Sequence, residues 1–534
     1  MKVYHLLNTC LALIAGCIMF TSCSDDDDPL KGNIALSIQN MTSPEGATVT
    51  QNALTVDGKG GTFSIPLTCG LEDYELDITY TVAVPAKDAA WCKATIAGNK
   101  LNIEINVSKD AQGRSTTATL TAVATGTEIA PLELTINQGA KVTPKGEVIL
   151  KTDQMTAPAN TKLEGGILDI SYVGGDVKIP VGTTLEDQTI DIEYALTVPE
   201  GAKWFTADLT GGTLNIRISP TAAKSDNTAE LTIAATGKTE ETEISSLHLS
   251  VKQAKFNSSM DMVVVEGGTF KFGEGKGYSQ SYTHDVTVSS FYIATTEITQ
   301  KLYKEIMGEN PSDKKFTGDN YPVNKVDWSK ACEFCNKLSE KEGLTPAYKQ
   351  EGTIRIEDIW FGGVTEIPNY IYDPGTVSNG YRIPTSAEWE FAAKGGNEGC
   401  KNLTVFSGSD NYSEVGWWQD NSAIGGNASL HEVAQLKANQ LGIYDMSGNV
   451  GEWCYDYGVP YGYEYPLEPE TDPIGPAENL NDSKIYRGGY YSTYDTKGKV
   501  YYTDRMDPTT TDSTIGFRVV RTMMTTNKPF LTLS

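Results

Sequence analysis

Residues 33–255 of this chain are one pattern written twice, and that repeat restricts the fold more than any other feature. Gly61-Thr-Phe-Ser-Ile-Pro66 falls on Gly175-Asp-Val-Lys-Ile-Pro180 at a shift of 114 positions. With slips of one residue the match continues: Leu71-Glu-Asp73 on Leu185-Glu-Asp187, Asp77-Ile-Thr-Tyr80 on Asp191-Ile-Glu-Tyr194, Trp91 on Trp204, Leu101-Asn-Ile103 on Leu214-Asn-Ile216 and Gln138 on Gln253. Within each copy, short alternating runs such as Leu101-Asn-Ile-Glu-Ile-Asn-Val107 and Ala229-Glu-Leu-Thr-Ile-Ala234 are separated by Gly, Pro, Asn and Asp turns. Alternation places one face of each strand in a core, and many such strands in succession predict an antiparallel sandwich.

At 534 residues, 39% of them apolar, the chain is long enough for three or four domains at roughly 150 residues each. A formal net charge of −26 opposes binding to a phosphate backbone, which requires a concentrated basic face, so nucleic acid is excluded as a partner. The N-terminus reads as a targeting segment: Lys2, a largely apolar run from Leu6 to Phe20, then small residues before a cysteine. Phe20-Thr-Ser-Cys23 resembles the lipobox of bacterial lipoproteins, as does Ile14-Ala-Gly-Cys17. Cys23 is the expected lipidation site because the chain turns polar immediately after it, at Ser24 and Asp25 to Asp28. An acidic run in that place resembles the surface-export signal of Bacteroidetes lipoproteins, which implies a lipid anchor in the outer membrane and exposure at the cell surface.

Beyond Cys23 the cysteines are Cys69, Cys92, Cys332, Cys335, Cys400 and Cys454, too few for a disulfide framework in a chain of this length. Cys332-Glu-Phe-Cys335 lies in an amphipathic stretch, Asp327 to Gly343, with Trp328, Ala331, Cys332, Cys335 and Leu338 on one stripe. Packing explains the pair better than redox or metal chemistry. Thr385-Ser-Ala-Glu388 is a capping box that opens another helix.

The repeated modules resemble the Ig-like modules called BACON domains, through the Gly-Gly-Thr opening, the central tryptophan and the closing Gln-Gly or Gln-Ala. Those domains were named for suspected sugar binding, but Trp91 and Trp204 sit in strand-like segments and are expected in the core. The expected role of the modules is a stalk. From Met262 to Arg521 the order of Glu297-Ile-Thr299, Pro322 to Trp328, Tyr381 to Ala393, Asn439 to Trp453, Arg487-Gly-Gly489 and Gly516-Phe-Arg-Val519 resembles the formylglycine-generating enzymes, or sulfatase-modifying factors. The fold class expected is thus multidomain: two all-β Ig-like sandwiches, then an α+β C-type-lectin-like domain. The divisions are 1–23 signal peptide, 24–32 acidic linker, 33–141 and 147–255 β modules, 258–523 enzyme-like domain and 524–534 tail.

In catalytic members of that family, two cysteines shortly after Arg-Gly-Gly bind copper(I), for which soft thiolates are suited. In this chain Ser492 lies near the first expected position and no cysteine follows Cys454, so the resemblance argues against copper and leaves no catalytic residue to name. A calcium ion in the family implies a site at the side chains of Asp445 and Glu452 and the carbonyls of Gly448 and Val450. The other reading of these residues is a tight turn whose acids cap backbone groups. The stretch replacing the thiolates carries Tyr490, Tyr491, Tyr494, Tyr501, Tyr502 and Arg505, a composition suited to a binding face, with alternating strand residues as the other reading. The function expected is a noncatalytic binding domain for a glycan or protein partner. The alternatives are a metal-dependent oxidase of the formylglycine-generating type and a structural component of an envelope complex.

Overall fold

The computed structural model of the protein describes residues 28–71, 74–185, 190–238, 241–357, 363–373, 378–460, 467–476 and 479–523. Cys23, the signal segment and the 524–534 tail lie outside the described residues.

The first module forms two five-stranded sheets. One runs, edge to edge, Cys92–Ala97, Lys100–Ile105, Gly61–Cys69, Leu30–Leu36 and Thr127–Ala130. The other runs Thr48–Val49, Ala53–Val56, Leu132–Gln138, Arg114–Val123 and Thr79–Ala83. Period-two burial along Gly61–Cys69 and Leu132–Gln138 turns Phe63, Ile65, Leu134 and Ile136 into one shared core. The second module repeats the strand order, with Gly175–Thr183 and Leu247–Gln253 in the corresponding places and Val177, Ile179, Leu249 and Val251 in its core.

Each closing glutamine is a buried tie between loops. Gln138 Nε2 donates to the carbonyls of Asn106 (2.7 Å) and Gly58 (3.4 Å), and Gln253 Nε2 donates to those of Ser219 (2.7 Å) and Tyr172 (3.3 Å). Trp91 is buried, with the Arg114 guanidinium 4.5 Å from its ring centre, and Trp204 is half-buried against Phe205. Both sites pack inward in preference to presenting an open ring.

The C-terminal domain mixes small sheets with short helices. Met262–Val265, Phe291–Ala294, Val520–Thr522 and Tyr381–Arg382 make one four-stranded sheet; Asp504–Met506, Lys484–Arg487, Gly451–Tyr457 and Ile515–Gly516 make another. Helix α1 spans Gln300–Met307, α2 spans Trp328–Lys341 and α3 spans Ser386–Ala393. Asp327 caps α2 by accepting from Lys330 N, and the stripe Trp328, Ala331, Cys332, Cys335 and Leu338 is wholly buried. Burial pushes both thiols upward, which keeps them protonated and unreactive. Helix α3 opens with the expected box, Thr385 Oγ1 accepting from Glu388 N and Glu388 Oε2 accepting from Thr385 N. The stretch from Gln350 to Asn379 contains most of an antiparallel hairpin, Tyr348–Glu357 with Val364–Tyr372, rooted by Tyr348, Tyr370 and Tyr372 in the core.

The chain divides into two compact units, the first ending at Lys145 and taking in Glu241–Glu243, the second comprising the remainder from Gly146 and so uniting the second module with the C-terminal domain. No helix among the described residues is long and apolar enough to cross a membrane.

Candidate functional site

Beneath one face of the C-terminal domain lies a buried cluster of three carboxylates and one guanidinium. Arg518 donates from Nε to Glu452 Oε2 (2.6 Å) and from Nη2 to Glu452 Oε1 (2.7 Å), a bidentate pair in which both partners are fully buried. Its remaining donors reach the carbonyls of Ala294 and Tyr444. Trp389 Nε1 adds a third bond to Glu452, at 2.7 Å. Glu297, just before α1, accepts from Asn449 Nδ2 and Val450 N. Asp445 takes a left-handed backbone conformation (φ 57°) and accepts from Ala434 N through Oδ2, while its buried Oδ1 has no hydrogen-bond partner.

Ionised, this cluster carries two negative charges in excess. Burial, reinforced by Asp445 and Glu452, holds Glu297 well above the usual carboxylate range, and burial pushes Asp445 up to about 6. Excess buried negative charge and an orphan carboxylate oxygen are what a bound cation would relieve. Of the four expected calcium ligands, Asp445 therefore has an open oxygen, whereas Glu452 has both oxygens engaged by Arg518 and Trp389. Among the described residues no three His, Cys, Asp or Glu side chains converge as a metal-holding group, so any cation here relies on backbone carbonyls such as those of Gly448 and Val450.

Above the cluster runs the tyrosine-rich segment. Its backbone is pinned by Tyr491 N to Asn449 O (2.9 Å), Gln419 N to Thr493 O (3.2 Å) and Ser422 Oγ to Tyr491 O (2.6 Å). Tyr491 and Tyr501 point inward, the first against Phe316 (5.3 Å) and the second over Gly275, where a Cβ would fall 2.0 Å from its ring. Tyr490 and Tyr502 are half-buried and Tyr494 is 70% exposed. Arg505 is exposed, with one guanidinium nitrogen turned back to the carbonyl of Val459. Of the six residues expected to bind a ligand, four keep an outward surface. Between Tyr490 and Tyr502, Lys497 and Tyr486 both donate to Asp504 Oδ2, at 2.7 and 2.8 Å.

Sequence reasoning missed the aromatic wall beside them. Trp417 stacks on His431 (3.7 Å between centres, 11° between planes), and Trp418 stacks on Tyr412 (5.1 Å, 11°), which in turn stacks on Phe406. Trp417 Nε1 is buried without a partner. His431 Nε2 lies 2.9 Å from Ser422 O, so this histidine ties one loop to another. The adjacent tryptophans of Gly416-Trp-Trp-Gln419, in a stretch without strand or helix periodicity, are the signal that could have found the wall.

The family model for the "Sulfatase-modifying factor enzyme 1-like domain" matches residues 248–523. The chain belongs to the sulfatase-modifying factor family. Chaperone protein LppX of Paenibacillus barcinonensis is 38% identical over 278 residues, spanning 49% of this chain and 90% of that protein. A formylglycine-generating enzyme of Streptomyces coelicolor is 26% identical over 50% of this chain and 90% of its own length. The inactive C-alpha-formylglycine-generating enzyme 2 of Bos taurus is 37% identical over 36% of this chain and 70% of its own length. Sulfatase-modifying factor relatives therefore include proteins named for the activity and one named for its loss, and family membership alone does not decide between them.

Proposed function

We propose that this chain is a noncatalytic member of the sulfatase-modifying factor family whose tyrosine face binds a glycan or protein partner. The observation that carries this reading is the replacement of the copper-binding stretch by a cysteine-free segment that turns Tyr490, Tyr494, Tyr502 and Arg505 outward beside Trp417 and Trp418. Rigid aromatic rings give large contact area at low entropic cost, and the neighbouring Lys497–Asp504 pair offers both a donor and an acceptor to hydroxyls or amides. The naming of one relative as a chaperone favours a protein partner.

In the same proposal Cys23 carries a lipid anchor that holds the chain at the outer membrane, facing outward, and the β modules are Ig-like BACON-type domains that lie between that anchor and the C-terminal domain in the sequence. Calcium is proposed at the open oxygen of Asp445 and the carbonyls of Gly448 and Val450, where it would neutralise the buried acids.

The test is binding of the chain without its signal segment to glycan arrays and to envelope protein extracts, followed by titration of whatever is retained. Tyr494→Ala, at an exposed ring, is expected to weaken binding at least tenfold without changing thermal stability, and Tyr490→Ala, whose ring also packs against the core, to weaken it at least tenfold with a small loss of stability. Stoichiometric copper with oxygen consumption on a cysteine peptide, or undiminished binding by both variants, would overturn the reading.

A further inference from the structure

The two β modules differ at one end in a way their shared architecture does not require. At the 114-position shift, Tyr172 and Val173 fall on Gly58 and Lys59. Counting on from the paired tryptophans, Ala222 falls on Lys109; counting on from the paired glutamines, Phe256 falls on Lys141. Hydrogen bonding supports the alignment. The two glutamines donate to matched carbonyls, and Lys141 N donates to Asp110 O (2.7 Å) just as Phe256 N donates to Ala223 O (2.8 Å). One end of the first module therefore carries three exposed lysines and a glycine, while the same end of the second carries a tyrosine, a valine, an alanine and a phenylalanine. Nor could the first module take a tyrosine unaided, since a Cβ on Gly58 would lie 1.9 Å from Ala140 O.

In the second module these four residues are where the C-terminal domain begins. The Tyr172 ring meets Phe256 edge-on (5.1 Å, 89°) and Tyr292 at 5.9 Å, and Phe256 stacks on Tyr292 at 4.3 Å. Arg521, 2% exposed, lies over the rings of Phe256 (4.6 Å), Tyr381 (5.3 Å) and Tyr172 (5.7 Å). It donates to Tyr172 Oη (3.0 Å), Asn257 O (3.2 Å) and Asn379 O (3.0 Å). Val173 and Ala222 pack against the same core as Tyr292 and Tyr381. A guanidinium surrounded by rings and neutral oxygens is strongly held in place, and a lysine brought into that contact would add a second buried cation with no counter-charge.

We propose that the C-terminal domain carries an aromatic socket, built around Arg521, Tyr292 and Tyr381, whose partner is the second β module and which the lysine-covered first module cannot fill. The second module is then a fitted part of the domain's body and not a spacer. This holds whether or not the tyrosine face binds a ligand.

The experiment uses the full chain and its variants Val173→Lys/Ala222→Lys and Tyr172→Phe, read by calorimetry, by proteolysis across residues 254–261 and by amide exchange at Arg521. The wild type is expected to melt its second module and C-terminal domain in one transition. Val173→Lys/Ala222→Lys should split that transition, lower the C-terminal component by about 4 °C or more, and speed cleavage and exchange at least tenfold. Tyr172→Phe, which keeps the ring and loses only the bond to Arg521, should fold fully and show the same changes in smaller measure. In a control, Lys59→Val/Lys109→Ala should move none of these readouts. Separate transitions in the wild type, or unchanged melting and protection in both second-module variants, would overturn the proposal.

Discussion

Arg518 and Glu452 form a pair that cannot be cut on one side. Replacing Arg518 by Met leaves a buried carboxylate facing Glu297 and Asp445 with its chief counter-charge gone, which should cost on the order of 3–5 kcal/mol in urea unfolding. Arg518→Met/Glu452→Leu should recover a large part of that loss, because the stranded charge goes with the pair; equal losses in the single and double variants would show that packing, not charge, dominates. A second residue carries a pH dependence. Asp456, at 7% exposure, accepts from Ser386 N at the start of α3, and burial pushes it up to about 6. Its folded pKa exceeds the unfolded one, so between pH ~4 and about 6 the native state binds more protons and this contribution to stability falls as pH rises. Relative to wild type, Asp456→Asn should therefore gain roughly 2–3 kcal/mol as the pH of a denaturation series is raised from 4 to 7, keeping the N-terminal acceptor without the charge.

At the scale of elements, α3 shows one side chain serving two masters. Glu388 closes the capping box on Thr385 and also takes a bidentate pair of bonds from Arg382, both at 2.6 Å. Thr385→Ala removes only a cap and should cost about 1 kcal/mol, whereas Glu388→Gln strands a buried guanidinium and should cost about 3 kcal/mol or more; similar midpoints for the two in guanidinium unfolding would refute this ranking. The cap was legible because its residues lie within three positions of one another. So were α2, through the 3.6-residue stripe of Trp328 and Cys332, and the paired modules, through their repeat. The Arg518–Glu452 pair, 66 positions apart, was not, and Glu452 read from sequence as a metal ligand has its oxygens committed elsewhere. Nor could the facing of the tyrosines be read: the short helix Asp495–Gly498 and the turns around it break the two-residue period, so Tyr490 and Tyr491 part company while Tyr501 turns in beside Tyr502.

For the whole molecule, a net charge of −26 means that any cation stabilises the chain to some degree by screening its self-repulsion, so a rise in melting temperature with calcium is not by itself evidence of a site. The two effects differ in what they depend on. Screening follows ionic strength and is indifferent to one buried residue; a site saturates, prefers calcium over potassium at matched ionic strength, and needs the orphan oxygen of Asp445. In chelator-treated protein, 1 mM calcium against ionic-strength-matched potassium chloride should raise the midpoint of the C-terminal domain by roughly 3 °C or more if its free concentration is about 100 times the dissociation constant. Asp445→Asn should abolish that difference and yet leave the response to potassium chloride intact. If the variant keeps the calcium increment, the ion acts somewhere other than Asp445, and the calcium proposal falls while the binding face above it stands.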